Sequence, residues 1–200
     1  TAALYLYAPS DLASCPAMSR PPEPARTSDP APATTAGTSA AVVRSLRPRQ
    51  WIKNGFVAAP VLFSQEFRDP DQLALAAGAV VCFCALSSSI YLVNDVIDRD
   101  QDRLHPEKAQ RPIAAGLVSV RMALVVAALL ASGALAVGFA LVLYFGRVLA
   151  SYGALTLLYS LYLKYEVILD VMTIAAGFVL RVVAGAVVIR VEPSSWILLC

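Results

Sequence analysis

Residues 73–93 read LALAAGAVVCFCALSSSIYLV, and the next ten residues are Asn94-Asp95-Val96-Ile97-Asp98-Arg99-Asp100-Gln101-Asp102-Arg103. The first part holds no Asp, Glu, Lys or Arg over 21 residues. That is long enough for a helix to cross a hydrocarbon core of about 30 Å. The second part packs four aspartates into eight residues. An apolar run that ends in a dense acidic stripe is the signature of a membrane helix opening into a polar site.

The rest of the chain agrees. Residues 122–146 form a second run free of Asp, Glu, Lys and Arg. Of the 200 residues, 58% are hydrophobic and only 15% charged, against about 25% charged in an ordinary soluble domain. Mean hydropathy is +0.65. These values exclude a soluble globular enzyme, a disulfide-stapled secreted domain and a nucleic-acid binder. The expected fold is all-α, a polytopic membrane helical bundle. Five segments are predicted, at about 42–65, 73–93, 122–145, 148–163 and 167–189, with a tight turn near 146. A sixth starts near Ser195 and is cut short by Cys200, which points to a C-terminally truncated chain.

Residues 1–40 hold seven of the thirteen prolines. Such a Pro/Ala-rich stretch buries too little apolar surface to offset its ordering entropy and is expected to be disordered. It has no continuous apolar core of the signal-peptide kind. Met18 reads as the natural start, with residues 1–17 as upstream translation. The membrane domain is expected over 41–200. Cys82 and Cys84 lie about 200° apart on a helix, so they do not share a metal and read as small hydrophobes.

Lys and Arg set the orientation. The connection 94–121 carries Arg99, Arg103, Lys108, Arg111 and Arg121, whereas 66–72 carries only Arg68. The positive-inside rule places the N-terminus and the connections 94–121 and 164–166 on the cytoplasmic face. The expected location is the plasma membrane, with the charged loops facing the cytoplasm.

If the second segment continues through the acidic stretch, Asp95, Asp98 and Asp102 share one helix face, with Tyr91 one turn back. Asp100 points elsewhere. Three carboxylates on one stripe repel unless a cation sits among them, and partial exclusion of water sharpens that cost. Hard oxygen donors followed by Arg and Lys suit Mg²⁺ shared with substrate phosphates. Imidazole or thiolate clusters that would suit zinc are missing. The glycine and the glutamate of a calcium loop are missing too.

Downstream, Pro106, Pro112 and Gly116 punctuate a shaped loop. It offers Arg103, Lys108 and Arg111 as donors to a phosphate chain, and the same residues also serve the positive-inside signal. Arg47-Pro48-Arg49-Gln50-Trp51-Ile52-Lys53-Asn54 precedes the first apolar stretch, where interfacial Trp and snorkelling cations are expected on structural grounds. Tyr159 and Lys164 close the fourth segment and Asp170 opens the fifth. Glu166 and Asp170 read as ordinary helix-entry charges. Arg181 lies about three turns beyond Asp170, roughly 16 Å deeper, flanked by Gly177 and Ala184. A charge there needs either an ion-pair partner or a cavity. The assembly suits ionisation of a diphosphate, with metal and cations holding the departing pyrophosphate.

The pattern Asn94-Asp95-x-x-Asp98-x-x-x-Asp102, with Tyr159 to Lys164, resembles the UbiA superfamily of intramembrane prenyltransferases. Leu46 to Asn54, Arg103-x-His105-Pro106-x-Lys108-x-x-Arg111-Pro112-Ile113-Ala114-x-Gly116 and Gly177-Phe178-Val179-Leu180-Arg181-x-x-Ala184-Gly185 are similar to its decaprenyl-phosphate phosphoribosyltransferase branch, collinear over about 44–200. The resemblance implies a nine-helix bundle, of which this chain is the N-terminal two thirds. It implies Mg²⁺ bound through Asp95, Asp98 and Asp102, which would also be the catalytic residues. Lys53, Asn54, Asn94, Arg103, Lys108, Arg111, Tyr159, Lys164 and Arg181 would bind substrate. The substrates would be phosphoribosyl diphosphate and a polyprenyl phosphate lipid, on the way to cell-wall arabinan. The family's second polar motif would lie beyond Cys200, so 1–200 alone is expected to be inactive. The alternatives are prenyl transfer to an aromatic or other acceptor, and a non-catalytic transporter or remnant. Nucleic acid is not an expected partner, and a homo-oligomer is left open.

Overall fold

A computed structural model describes residues 35–64, 68–162 and 167–191, all within the unit Ala33–Cys200. No strand occurs among them. The helices are α1 (Thr35–Ser45), α2 (Ala59–Phe63), α3 (Pro70–Ile97), α4 (Arg99–Leu104), α5 (Val120–Leu141), α6 (Leu143–Leu161) and α7 (Val167–Val188). A 3-10 stretch at Pro48–Ala58 precedes α2, and a 3-10 turn at Lys108–Gln110 follows α4. The all-helical expectation holds.

The predicted segment 42–65 is not one helix but three pieces. α1 starts at Thr35, inside the stretch expected to be a disordered tail; residues 1–34 of that stretch lie outside the described residues. It stops because Arg47 precedes Pro48, and the proline ring disfavours α geometry in the residue before it. Arg47 instead adopts the left-handed conformation, φ 54° and ψ 58°. The next eleven residues run as a 3-10 helix, far beyond the three or four such geometry usually sustains. Tertiary bonds to α3 hold it there. Trp51 Nε1 donates to Ser88 Oγ at 3.0 Å, Ser88 Oγ donates to the Leu46 carbonyl at 2.9 Å, and Asn54 Nδ2 donates to Ser87 Oγ at 3.2 Å.

α3 starts where a cap and a proline coincide. Asp69 Oδ1 accepts the Asp71 N–H at 2.9 Å, and Pro70 sits at the first helical position, where its missing N–H costs nothing. The helix runs past the apolar stretch to Ile97. Asp98, at φ −84° and ψ 2°, interrupts it for one residue before α4.

The corner between α5 and α6 falls at Val142, φ −151° and ψ 127°, and not near 146 as expected. Gly146 lies inside α6 because of packing. A Cβ there would meet the Phe139 ring, with its nearest atom at 2.4 Å. Gly185 has the same function on α7, where a Cβ would come within 1.9 Å of the Val57 carbonyl oxygen. The absence of that Cβ lets α7 lie directly against the 3-10 backbone.

The main core is built on Phe83, Phe145 and Leu149, all fully buried. Phe83 also packs against Tyr152, with ring centroids 4.9 Å apart. A smaller core of Leu92, Ile113, Val118, Ala123 and Ala127 sits under the loop that follows α4, and it fixes that loop against α3 and α5. Outside, Leu124, Val125, Leu129 and Val137 of α5 and Val171, Met172 and Ile174 of α7 are exposed. Apolar side chains facing outward are what a lipid surround demands. Among the described residues, three helices are long and apolar enough to cross a membrane: Pro70–Ile97, Val120–Leu141 and Leu169–Val188. Sequence patterning predicted five. The first is broken as described, and α6 carries Arg147, Ser151, Tyr152, Thr156 and Tyr159 along its length, which dilute its apolar character. The expected sixth start at Ser195 lies outside the described residues.

Candidate active site

The ends of α3, α4 and the following loop meet around Asp95. This carboxylate is buried, 2% exposed, near the end of a helix that is otherwise apolar. Arg111 comes from the loop and bridges two carboxylates through one nitrogen. Its Nη1 lies 3.3 Å from Asp95 Oδ1 and 2.7 Å from Asp102 Oδ2. Arg47 Nη2 donates to the same Asp95 Oδ1, and its guanidinium stacks over the Tyr91 ring with Cζ 5.0 Å from the centroid. Two guanidinium groups thus neutralise one buried carboxylate and tie the first segment, α3 and the loop together. A cavity of about 230 Å³ opens here, lined by Arg44, Arg47, Asp95, Gln110 and Arg111 among others.

The loop reaches Asp95 because its backbone is ordered. Arg103 Nε donates to the Ala114 carbonyl at 3.0 Å. The N–H groups of Leu117 and Val118 both donate to the Pro112 carbonyl, and Gly116 makes the turn at φ +77°. A positive φ of that kind favours glycine, whose missing Cβ removes the steric cost. Arg103 is therefore a loop tie in this structure, while Lys108 and Lys53 are exposed. Neither lysine makes an ion pair among the described residues. Asn94 accepts from Ser160 Oγ at 2.7 Å, and the Tyr159 hydroxyl donates to Asp170 Oδ1 at 2.8 Å. Those bonds bring the ends of α6 and α7 to the same end of the bundle. Lys164 lies outside the described residues.

Asn54 and Arg181, expected beside substrate, are buried and bonded to each other. Arg181 Nε donates to Asn54 Oδ1 at 3.0 Å, its Nη1 to the Gly177 carbonyl at 2.9 Å and its Nη2 to the Tyr152 hydroxyl at 2.8 Å. The partner that a buried charge requires is thus a polar cage of neutral oxygens, and no carboxylate pairs with it among the described residues. Both residues support the 3-10 stretch from within.

The expected stripe of three carboxylates is corrected in one respect. It assumed an unbroken helix, but α3 ends at Ile97 and a new helix starts after Asp98. Asp95 and Asp102 still converge. Asp98 sits half-buried at the break, and no three His, Cys, Asp or Glu side chains are grouped to hold a metal among the described residues. The donor set nevertheless fits Mg²⁺. Asp95 and Asp102 already share a single positive centre, and Mg²⁺ is held by one or two carboxylates together with substrate phosphates. The residue that sequence reading undervalued is Arg47. Interfacial anchoring explained it equally well, and only the left-handed turn before Pro48 brings it to Asp95.

The fold and the site define a membrane-embedded helical bundle with a carboxylate and guanidinium centre at one end. Residues 55–200 match the UbiA prenyltransferase family, and the chain belongs to it. It is 41% identical over 162 residues to the decaprenyl-phosphate phosphoribosyltransferase of Mycolicibacterium smegmatis, covering 79% of this chain and 51% of that protein. The decaprenyl-phosphate phosphoribosyltransferase of Corynebacterium glutamicum is 40% identical over 164 residues, covering 79% and 49%. The chain thus spans about half the length of the curated relatives it matches. A UbiA homolog from Archaeoglobus fulgidus, solved bound to GPP and Mg²⁺, superposes with a TM-score of 0.65 at 23% identity, covering 79% of this chain and 57% of that one. The protein is a membrane protein of a transferase family.

Proposed function

We propose that the protein transfers 5-phosphoribose from phosphoribosyl diphosphate to a polyprenyl phosphate lipid such as decaprenyl phosphate, with Mg²⁺, at the cytoplasmic face of the plasma membrane. The product would feed cell-wall arabinan synthesis. The observation that carries this reading is the convergence of Asp95 and Asp102 on one cationic nitrogen, with Arg47 alongside. The choice of phosphoribosyl transfer follows the relatives at 40–41% identity.

Asp95 and Asp102, with Asp98 at the helix break, would hold the metal. When bound, Mg²⁺ supplies charge neutralisation to the departing diphosphate. Arg111 and Arg47 lie within bonding distance of Asp95 and would stabilise negative charge as it develops on the leaving oxygens. Such fixed donors act strongly where water is excluded. Lys53, Lys108 and Lys164 extend this set, with Arg103 tying the loop that bears Arg111. A phosphate oxygen of the lipid forms the bond to ribose C1, and the C1–O bond to diphosphate breaks with its electron pair. The acceptor is already an anion, so no general base is required. Asn94 and Tyr159 hold the helix ends that frame the site. Asn54 and Arg181 hold the segment that carries Arg47.

The second reading, prenyl transfer from a prenyl diphosphate, is favoured by the family's own description as prenyltransferases. One experiment separates the two. Membranes carrying the full-length gene product are given labelled phosphoribosyl diphosphate and polyprenyl phosphate, with Mg²⁺ or with EDTA. Label entering lipid only with Mg²⁺ is expected. Transfer from labelled prenyl diphosphate alone would overturn the first reading in favour of the second, and no transfer from either would overturn both.

A further inference from the structure

A second cavity lies against the Asp95 cavity and shares a wall with it. It is a groove of about 880 Å³ between α1 and the start of the 3-10 stretch, lined by Ser39, Val43, Arg44, Arg47, Arg49 and Gln50 among others. Arg44 and Arg47 line both cavities. The groove differs chemically from its neighbour. Three arginines line it and no carboxylate does among the described residues, whereas the neighbour contains Asp95. A groove with fork-shaped donors and no carboxylate is suited to a phosphate that arrives without a divalent ion.

The surroundings point to where that phosphate comes from. Val43, Ile52 and Phe56, in the same stretch of chain, are 56%, 81% and 50% exposed. Basic residues interleaved with exposed apolar ones mark a segment lying in the membrane interface. Anionic headgroups attract each nearby Arg or Lys.

We propose that this groove seats the phosphodiester headgroup of an anionic phospholipid from the bulk membrane. Arg44 and Arg49 are its donors, and Arg47 is the wall shared with the Asp95 cavity. A phosphodiester carries one negative charge and needs no metal, which matches a groove whose charged lining residues are all arginines among the described residues. The reacting lipid phosphate must instead reach the carboxylates on the far side of Arg47. The inference requires membrane embedding but not phosphoribosyl transfer.

The test is retention of lipid by the purified chain in detergent, read by native mass spectrometry. The competing lipids are phosphatidylglycerol and phosphatidylcholine with matched acyl chains, at equal concentration. Phosphatidylglycerol is expected to be retained in preference. The preference falls by roughly an order of magnitude in R44Q/R49Q, survives in R44K/R49K, and is unchanged in Arg147→Gln, which lies at the far end of α6. If R44Q/R49Q fails to fold, Arg49→Gln alone reads the same loss in part. Equal retention of both lipids, a preference unaltered in the glutamine variants, or an equal loss in Arg147→Gln would overturn the proposal. So would polyprenyl phosphate displacing phosphatidylglycerol from the same arginines, since the groove would then belong to a phosphomonoester. Retention is measured without turnover, so a negative result here leaves the transferase reading standing, and an inactive enzyme leaves the groove standing.

Discussion

Arg181 and Asn54 are 127 residues apart in the chain and bonded inside the bundle, Nε to Oδ1, at 3.0 Å. Asn54 is fully buried, and the other end of its amide reaches Ser87 and Cys84 on α3. One side chain therefore links the 3-10 stretch to α3 and α7. Asn54→Ala removes the acceptor and leaves a buried guanidinium short of one partner. A hydrogen bond to a charged group contributes about 1.5–3 kcal/mol, so a loss of that order is expected in a detergent melt. Arg181→Lys does not restore it, because an ammonium lacks the planar fork that serves three directions at once.

Replacing either bridged carboxylate disables the centre. In Asp95→Asn or Asp102→Asn, Arg111 loses a charged partner, and under the proposed function the metal would lose a ligand. Activity is expected to fall by about 10²-fold or more, measured as label transferred to lipid. Asp100→Asn is the internal control. Its carboxylate is 90% exposed, and its one ion pair among the described residues, with Arg103, is long at 3.8 Å. It should retain near-normal turnover.

Lys53 and Lys108 are exposed. Alanine at either position should leave the melting temperature unchanged. The KM for the diphosphate substrate should rise about tenfold, the value of one charge-assisted contact. A fall in melting temperature instead would assign them to the scaffold.

Glycines separate by what surrounds them. Gly185→Ala drives a methyl group into the Val57 carbonyl, 1.9 Å away, so α7 must move off the 3-10 backbone. A loss of about 1–3 kcal/mol or more is expected. Gly133→Ala in α5 meets nothing within 4 Å, and it should gain up to about 1 kcal/mol from helix propensity. Paired melts of the two variants check both signs.

The membrane setting was legible because helical geometry writes itself into spacing, and the family through the resemblance of the motifs at 46–54, 94–102, 103–116 and 177–185. The charge-free run 73–93 and the aspartates that follow require only a period of 3.6 residues to be read. The shaped loop of Pro106, Pro112 and Gly116 was legible for a similar reason, since those residues act on their own backbone. The length of the first helix was not. Its apolar and basic pattern was compatible with one span, and the break at Arg47 depends on Pro48 together with bonds from Trp51 and Asn54 to distant serines. The turn expected near 146 was displaced to Val142, and Gly146 serves a contact with Phe139 inside α6.

Residue type and local period were enough to establish an all-helical membrane protein with an acidic, basic-flanked mouth. They could not choose partners. Which guanidinium neutralises Asp95, and whether Arg181 faces a carboxylate, a cavity or a cage of neutral oxygens, were decided only once α3, α7 and the 3-10 stretch had packed. Long polar side chains reach any of several groups within their length. The one they reach is set by backbone separations that no stretch of local sequence encodes.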